Sequence, residues 1–162
     1  MSPKRVLFVC LGNICRSPAA EGVVGPRVAQ RGLGGRIDVD SAGTIGYHAG
    51  EPADERMRRA AAQRGIELTS RGRRFEPSDF DRFDLIVAMD TSNREDLLAQ
   101  AEGDAQRAKV RLLSDFLPRG APREVADAFY GGPQGFDRVL DMVEQAADPV
   151  IDALLGEGAG SR

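Results

Sequence analysis

A cysteine and an arginine six residues apart, Cys10 and Arg16, are the residues near the start of the chain whose types and spacing suggest chemistry. Ser17 and Pro18 follow, a pair typical of a helix start, in which Ser17 is expected to cap the helix and Pro18 to lie in its first turn. Backbone N–H groups at a helix start bind anions, and the helix dipole strengthens that binding. The sequence therefore predicts a phosphate-binding loop that comprises Leu11, Gly12, Asn13, Ile14, Cys15, Arg16 and Ser17.

The side chains of this loop have the properties that transfer of a phosphoryl group to sulfur requires. Arg16 carries a planar fork that matches two phosphate oxygens. The positive environment favours the thiolate form of Cys10, which is the nucleophilic form. Ser17 is placed to donate a hydrogen bond to that sulfur. Gly12 and Asn13 tolerate the left-handed backbone that turns successive N–H groups inward.

The spacing of one cysteine and one arginine is a weak signal in a chain so rich in arginine. From the residues alone, Cys10 is also compatible with a buried cysteine at the end of a strand. The apolar run before it, the Gly12-Asn13 turn and the helix start after it together favour a catalytic loop. A binding module that holds phosphate without turnover would need neither nucleophile nor acid.

Composition limits the remaining classes of function. The chain has 162 residues, a net charge of −3 and two cysteines, with 41% apolar residues. These values predict one domain over residues 1–155 with a flexible tail at 156–162, no nucleic-acid or membrane partner, and a cytoplasmic location. One histidine and two cysteines give no credible zinc site, so no metal is expected.

Strands and helices alternate along the chain, which predicts an α/β fold with a parallel sheet. Ligands bind beyond the carboxyl ends of the strands in such sheets, where Cys10 and Asp90 are expected. A kink is expected at Gly25-Pro26 inside the first helix. The predicted strands are residues 6–9, 37–40 (an edge strand), 84–89 and 110–113, and the predicted helices are residues 19–31, 54–63, 91–101 and 136–155.

The run from position 9 to position 18, Val-Cys-Leu-Gly-Asn-Ile-Cys-Arg-Ser-Pro, resembles the signature loop of the low-molecular-weight protein tyrosine phosphatases. The resemblance continues through residues 40–43, 88–93 and 127–131. It implies a flavodoxin-like three-layer sandwich, with a central four-stranded parallel sheet flanked by helices. It also implies metal-free, cofactor-free hydrolysis of phosphotyrosine in proteins, and of small aryl phosphates, through a phosphocysteine intermediate.

The resemblance assigns Cys10 as the nucleophile, Arg16 as the phosphate clamp and Asp127 as the general acid and then the general base. One carboxyl group can serve both steps, but 25 acidic residues are present and no spacing singles out Asp127. The family usually has Pro after this Asp, whereas this chain has Ala128, which predicts a less ordered loop. The residues expected to support the loop are Asn13, Ser17, Ser41 and Asp90.

The resemblance also predicts a slot for a flat aromatic ring, lined by Ile14, Tyr47, Phe129 and Tyr130. It gives Cys15 a redox role, in which a reversible disulfide protects the nucleophile. His48 is read as loop surface near the pocket. Ser70 is the best match to a histidine that supports the loop in the family, so that support is in doubt.

Two rival enzymes share this loop. A protein arginine phosphatase has Thr at the position of Ile14, so Ile14 favours phosphotyrosine. A thioredoxin-linked arsenate reductase needs further cysteines near the middle of the chain. A non-catalytic phosphotyrosine-binding module is the alternative from another class. The predicted protein is a monomer that acts on phosphotyrosine-containing proteins.

Overall fold

The computed structural model describes residues 2–126 and 132–156. Its centre is a sheet of four strands in the order β2-β1-β3-β4, with every neighbouring pair parallel. The sheet confirms the predicted α/β fold with its four parallel strands, and β2 lies at an edge as expected. The strands are β1 (Lys4–Cys10), β2 (Ile37–Gly43), β3 (Leu85–Ala88) and β4 (Val110–Leu112).

Helices cover both faces of the sheet, which explains the unbroken apolar run in β1. Val6 and Phe8 point into a core shared with α1, α2 and α6, whereas Leu7 and Val9 point into a second core beside α3 and α4. These are the three predicted layers. The helices are α1 (Arg16–Gln30), α2 (Glu55–Ala62), α3 (Asp79–Arg82), α4 (Thr91–Gln100), α5 (Gly103–Ala108) and α6 (Pro133–Leu155).

Helix α1 corrects the predicted cap. It begins at Arg16 with Cys15 at the N-cap and no side-chain cap, so the expected Ser17 cap is wrong. The helix also continues through Pro26. Pro26 is exposed, while Val24 and Val28 on either side of it pack into the core, so packing outweighs the cost of the proline.

Strand β2 is longer than predicted and changes the setting of Ser41. Residues 41–43 were expected in a loop, but they pair with the last residues of β1, Phe8 with Ser41 and Cys10 with Gly43. The carboxyl ends of β1 and β2 therefore lie side by side, next to the end of β3. Residues 68–77 are irregular as predicted, and the short helices α3 and α5 had no signal in the sequence.

No helix within residues 2–126 and 132–156 has both the length and the apolar composition needed to cross a bilayer. Helix α6 ends at Leu155, with Gly156 at its C-cap in the left-handed conformation (φ 80°). The predicted tail beyond this glycine lies outside the described residues.

Candidate active site

The loop after β1 is held by its carbonyl oxygens. The backbone N–H groups of Thr44, Ile45 and Asp54 donate to the carbonyls of Cys10, Leu11 and Ile14 at 2.9, 3.1 and 2.8 Å. The first N–H groups of α1 have no acceptor within the helix. A loop fixed from outside through its carbonyls, with a helix start at its end, is the arrangement that binds an anion.

A buried hydroxyl lies beside the cysteine sulfur. Cys10 is 3% exposed, and its Sγ lies 3.0 Å from the Oγ of Ser17, in the first turn of α1. The Ser17 hydroxyl accepts from Asn13 Nδ2 at 2.8 Å, so its own proton is available either to this sulfur or to the carbonyl of Ala42 at 3.3 Å. A hydroxyl that donates to the sulfur stabilises negative charge that develops on it.

Asn13 orients that hydroxyl from a conformation that few residues adopt. It is buried, and its backbone is left-handed, with a φ of 58°. Within residues 2–126 and 132–156 it is the one residue other than glycine that has a positive φ. Its Oδ1 accepts from the backbone N–H of Arg73 at 2.9 Å, which fixes the amide so that Nδ2 faces Ser17. Gly12 was expected to share this conformation, but it has no positive φ. A Cβ on Gly12 would instead stand 3.2 Å from Cδ2 of His48.

The Arg16 side chain is buried although it is charged, and residues far along the chain anchor it. Its side chain is 4% exposed, and its Nη1 donates to Asp90 Oδ2 at 2.6 Å and to the Val125 carbonyl at 3.0 Å. Asp90, which was predicted to support the loop, also caps α4, since its Oδ1 accepts from the Asn93 N–H at 2.7 Å. Asp90 therefore links Arg16 directly to the start of α4.

The segment before Asp127 is attached to the same helix start. Glu124 accepts from the Thr91 N–H at 2.9 Å and from the Thr91 hydroxyl at 2.5 Å, and these two donors hold the pKa of Glu124 below its usual range. The Val125 N–H donates to the Met89 carbonyl at 2.9 Å. Asp127, Phe129 and Tyr130, predicted as the acid and part of the aromatic slot, lie outside the described residues.

Tyr47 stands at the rim of the loop. It is 80% exposed, and its ring meets the His48 ring edge-on, with centroids 4.9 Å apart. His48 packs over Gly12 and its Nδ1 lies 3.0 Å from Glu51 Oε2, so it is closer to the loop than the sequence suggested. Ile14, the other slot residue in the described part, is half-buried against the main core.

The model of the low molecular weight phosphotyrosine protein phosphatases matches residues 5–158 of the sequence. The chain belongs to this family. A putative low molecular weight protein-tyrosine-phosphatase of Synechocystis is 45% identical over 150 residues, 93% of this chain and 96% of that protein. The enzyme class of this chain is accordingly that of a protein-tyrosine-phosphatase.

Solved structures give the same fold. A crystal structure of a protein tyrosine phosphatase from Entamoeba histolytica matches with a TM-score of 0.90 and 42% identity, over 94% of this chain and 97% of that chain. A crystal structure of a Drosophila arginine phosphatase matches with a TM-score of 0.84 and 30% identity, over 91% of this chain and 96% of that chain.

Ser41 in this phosphatase faces the helix behind the loop and not the loop itself. Its hydroxyl donates to Glu21 Oε1 on α1 at 2.5 Å. Burial raises the pKa of Glu21, Asp40 raises it further, and hydrogen bonds from Ser41 and Ser70 oppose the shift. Ser70 was predicted as the best match to a histidine of the family, and in the structure its hydroxyl acts on Glu21.

A Glu21→Gln phosphatase is expected to gain stability relative to the wild type as pH rises. A raised carboxyl pKa means that the folded state binds the proton more tightly, so stability falls as pH rises from about the unfolded value of 4.5 through the folded pKa. Gln has no such proton, so the free energy of unfolding of the variant, relative to the wild type, should rise across that window. Urea unfolding from pH 4 to pH 8 measures the difference, and a constant offset would contradict the expectation.

Several positions that shape the site were not identified from the sequence. A Cβ on Gly43 would lie 2.8 Å from the Leu11 carbonyl, so only glycine allows the loop to approach β2 this closely. Arg73 supplies the N–H that orients Asn13, and its guanidinium pairs with the fully buried Asp79 at 3.0 and 3.2 Å. No local sequence pattern marks these positions, because the groups that they contact lie far away along the chain.

Cys15 lies at the N-cap of α1 and is 4% exposed, and neither Cys15 nor Cys10 forms a disulfide in the structure. Its redox role stays a prediction. No three His, Cys, Asp or Glu side chains come together as a candidate metal site in residues 2–126 and 132–156.

Proposed function

We propose that this phosphatase hydrolyses phosphotyrosine in proteins by two in-line displacements at phosphorus, with Cys10 as the nucleophile. The observation that carries the proposal is the buried Cys10 sulfur, 3.0 Å from the Ser17 hydroxyl, on a loop that also presents the anchored Arg16. Small aryl phosphates present the same phosphorus and a similar leaving group, so they are substrates as well.

In the first step the Cys10 thiolate attacks phosphorus and the bond to the phenolic oxygen breaks. Arg16 and the amides of the loop bind the phosphoryl oxygens, and Asp127 gives its proton to the departing phenoxide. In the second step water attacks phosphorus, Asp127 takes its proton and the P–S bond breaks. Ser17 donates to the leaving thiolate, and inorganic phosphate is released.

The choice of phosphotyrosine over phosphoarginine rests on Ile14. A hydroxyl at this position would suit the N–H groups of a guanidinium, whereas an apolar side chain half-buried against the core suits an aromatic ring. The Drosophila arginine phosphatase shares the fold, so arginine phosphatase activity is the second candidate. A non-catalytic phosphotyrosine-binding module is the third.

We further propose that the enzyme works as a monomer in the cytoplasm on phosphotyrosine-containing proteins, with residues 1–155 forming one domain. Cys15 would form a reversible disulfide with Cys10 after oxidation and so protect the nucleophile. Asp90 and Asn13 hold the loop in shape through the contacts described above. Ser41 supports it only indirectly, through Glu21 on α1.

An Asp127→Asn enzyme is expected to hydrolyse a phosphotyrosine peptide about 10²- to 10⁴-fold more slowly than the wild type. Asparagine cannot protonate the phenoxide, so the loss of kcat/KM should shrink for aryl phosphates with more acidic leaving groups. The measurement is kcat/KM over a series of substituted phenyl phosphates, for this variant and for an Asp137→Asn control on α6.

Two peptides of one sequence, carrying phosphotyrosine or phosphoarginine, distinguish the candidates. A strong preference for phosphotyrosine supports the proposal, and a preference for phosphoarginine replaces it with the second candidate. Binding of phosphotyrosine without turnover by the wild type would make the protein a binding module. An equal loss for all leaving groups in the Asp127→Asn series would remove Asp127 from the role of acid.

A further inference from the structure

The rim of the site is built from two segments that run side by side. The Gly43 N–H donates to the Arg73 carbonyl at 2.8 Å and the Phe75 N–H returns to the Gly43 carbonyl at 2.7 Å. Farther along, the Gly50 N–H donates to the Gly72 carbonyl at 2.8 Å. Residues 71–74 therefore lie against the loop of residues 44–51, which carries Tyr47 and His48 beside the phosphate-binding loop.

Three arginines on this segment differ in how their charge is balanced. Arg73 pairs with Asp79 at 3.0 Å and with Asp40 at 3.2 Å, so carboxylates of the chain neutralise it. Arg71 is exposed and its Nη1 donates to the Gly50 carbonyl at 3.0 Å, which positions the group but leaves its charge unbalanced.

Arg74 is exposed as well, and its stem lies along the rim loop. Its Cβ and Cδ are 3.6 Å from the point where a Cβ on Gly46 would stand. No carboxylate of residues 2–126 or 132–156 comes within 4 Å of the guanidinium of Arg71 or Arg74. Two positive charges with no acidic partner in this part of the chain therefore flank the loop.

The same rim exposes apolar surface. Leu11, Ile45 and Tyr47 are 42%, 43% and 80% exposed, and they are the large apolar side chains exposed within the described ranges, 2–126 and 132–156. Leu11 belongs to the phosphate-binding loop, and the Ile45 N–H donates to its carbonyl. Tyr47 contacts His48, which packs over Gly12 of the same loop. The mouth of the site is thus an apolar rim with a basic flank, a surface suited to a peptide.

We propose that Arg71 and Arg74 bind acidic side chains that flank the phosphotyrosine of protein substrates. The inference rests on the proposed function and adds a substrate class to it. Guanidinium forks bind carboxylates, and an extended peptide places flanking residues about 3.3 Å apart, beyond the ring slot and over the rim. A net charge of −3 opposes nucleic acids and anionic membranes as general partners, so a local acidic motif is favoured.

The test compares phosphotyrosine peptides that differ only in flanking Glu, Gln or Lys. The wild type is expected to prefer Glu over Lys, by about two- to fivefold in kcat/KM for each exposed pair, with the preference reduced at high salt. Arg71→Gln and Arg74→Gln should each lower the Glu-to-Lys ratio, and the double variant should bring it close to one. The ratio cancels any general loss of activity.

Arg36→Gln is the matched control, because Arg36 is an exposed arginine just before β2, at the end of the strand opposite to Gly43 and the rim. Its Glu-to-Lys ratio should equal that of the wild type. Arg74→Glu should reverse the preference toward the Lys peptide, a gain that misfolding cannot produce.

A Glu-to-Lys preference that persists in the double variant would overturn the inference, and so would a wild type that turns over all three peptides equally. Binding of anionic vesicles that depends on these two arginines, with no charge preference among peptides, would also overturn it. A wild type that hydrolyses no phosphotyrosine peptide would be a failure of the proposed function instead.

Discussion

A Cys10→Ser phosphatase is expected to lose hydrolysis of phosphotyrosine by a factor on the order of 10⁵ or more, as enzymes do when the nucleophile is removed. The sulfur lies 3.0 Å from the Ser17 hydroxyl, in the loop that also presents the anchored Arg16. A serine oxygen keeps its proton at neutral pH and is a much weaker nucleophile than sulfur. No phosphoryl–enzyme intermediate should then form.

Binding should survive this substitution, because the loop amides and Arg16 remain. The variant should hold a phosphotyrosine peptide with a Kd near the KM of the wild type, measurable by calorimetry beside single-turnover kinetics. Cys15→Ser makes the same change five residues along the loop and should retain far more turnover. Appreciable turnover by Cys10→Ser, or a larger loss in Cys15→Ser, would move the nucleophile away from Cys10.

What could be predicted from the sequence was mostly local. The apolar run of β1, the turn after it and the helix start at Pro18 are neighbours in the chain, so their pattern specified the strand, loop and helix together. Parallel pairing then placed Cys10 and Asp90 at one edge, because parallel strands end on the same side of a sheet.

The errors came where a distant segment competes for a local group. Ser17 was predicted both to cap α1 and to donate to the sulfur, but α1 begins at Arg16, so Ser17 lies inside the first turn and not at the N-cap. There its hydroxyl accepts from Asn13 and lies within hydrogen-bond distance of the Ala42 carbonyl on β2 as well as of the sulfur.

Other features of the site had no local signal at all. Glu21, Asp79 and Glu124 are three of 25 acidic residues, and their partners lie 20, 6 and 33 positions away. Their contacts distinguish them from the other acidic residues, and those contacts form only in the folded chain. Gly43 is a similar case, because its lack of a Cβ matters only once the fold brings the Leu11 carbonyl close to it.

An Arg16→Lys phosphatase is expected to lose about 10³-fold in kcat/KM for phosphotyrosine, the scale of arginine clamps in phosphoryl transfer. The Nη1 of Arg16 donates to both Asp90 and the Val125 carbonyl, so the guanidinium is oriented before substrate arrives. An ammonium keeps the charge but has no planar fork to bind both these acceptors and two phosphoryl oxygens.

Asp90→Asn weakens the anchor of Arg16 but leaves the guanidinium itself in place. Asparagine keeps one oxygen for the Asn93 N–H, but its amide NH2 cannot accept from Arg16, so the ion pair at 2.6 Å is lost while the Val125 carbonyl still binds Arg16, and we expect a smaller loss than for Arg16→Lys. Steady-state kinetics on a phosphotyrosine peptide gives kcat and KM for both variants.

The loss in Arg16→Lys should fall on kcat more than on KM, because the charge on the phosphoryl oxygens is redistributed in the transition state and the fork is shaped for that geometry. An Arg16→Lys enzyme within tenfold of the wild type would mean that positive charge alone suffices at this position, and that the anchoring by Asp90 and Val125 serves the fold and not the reaction.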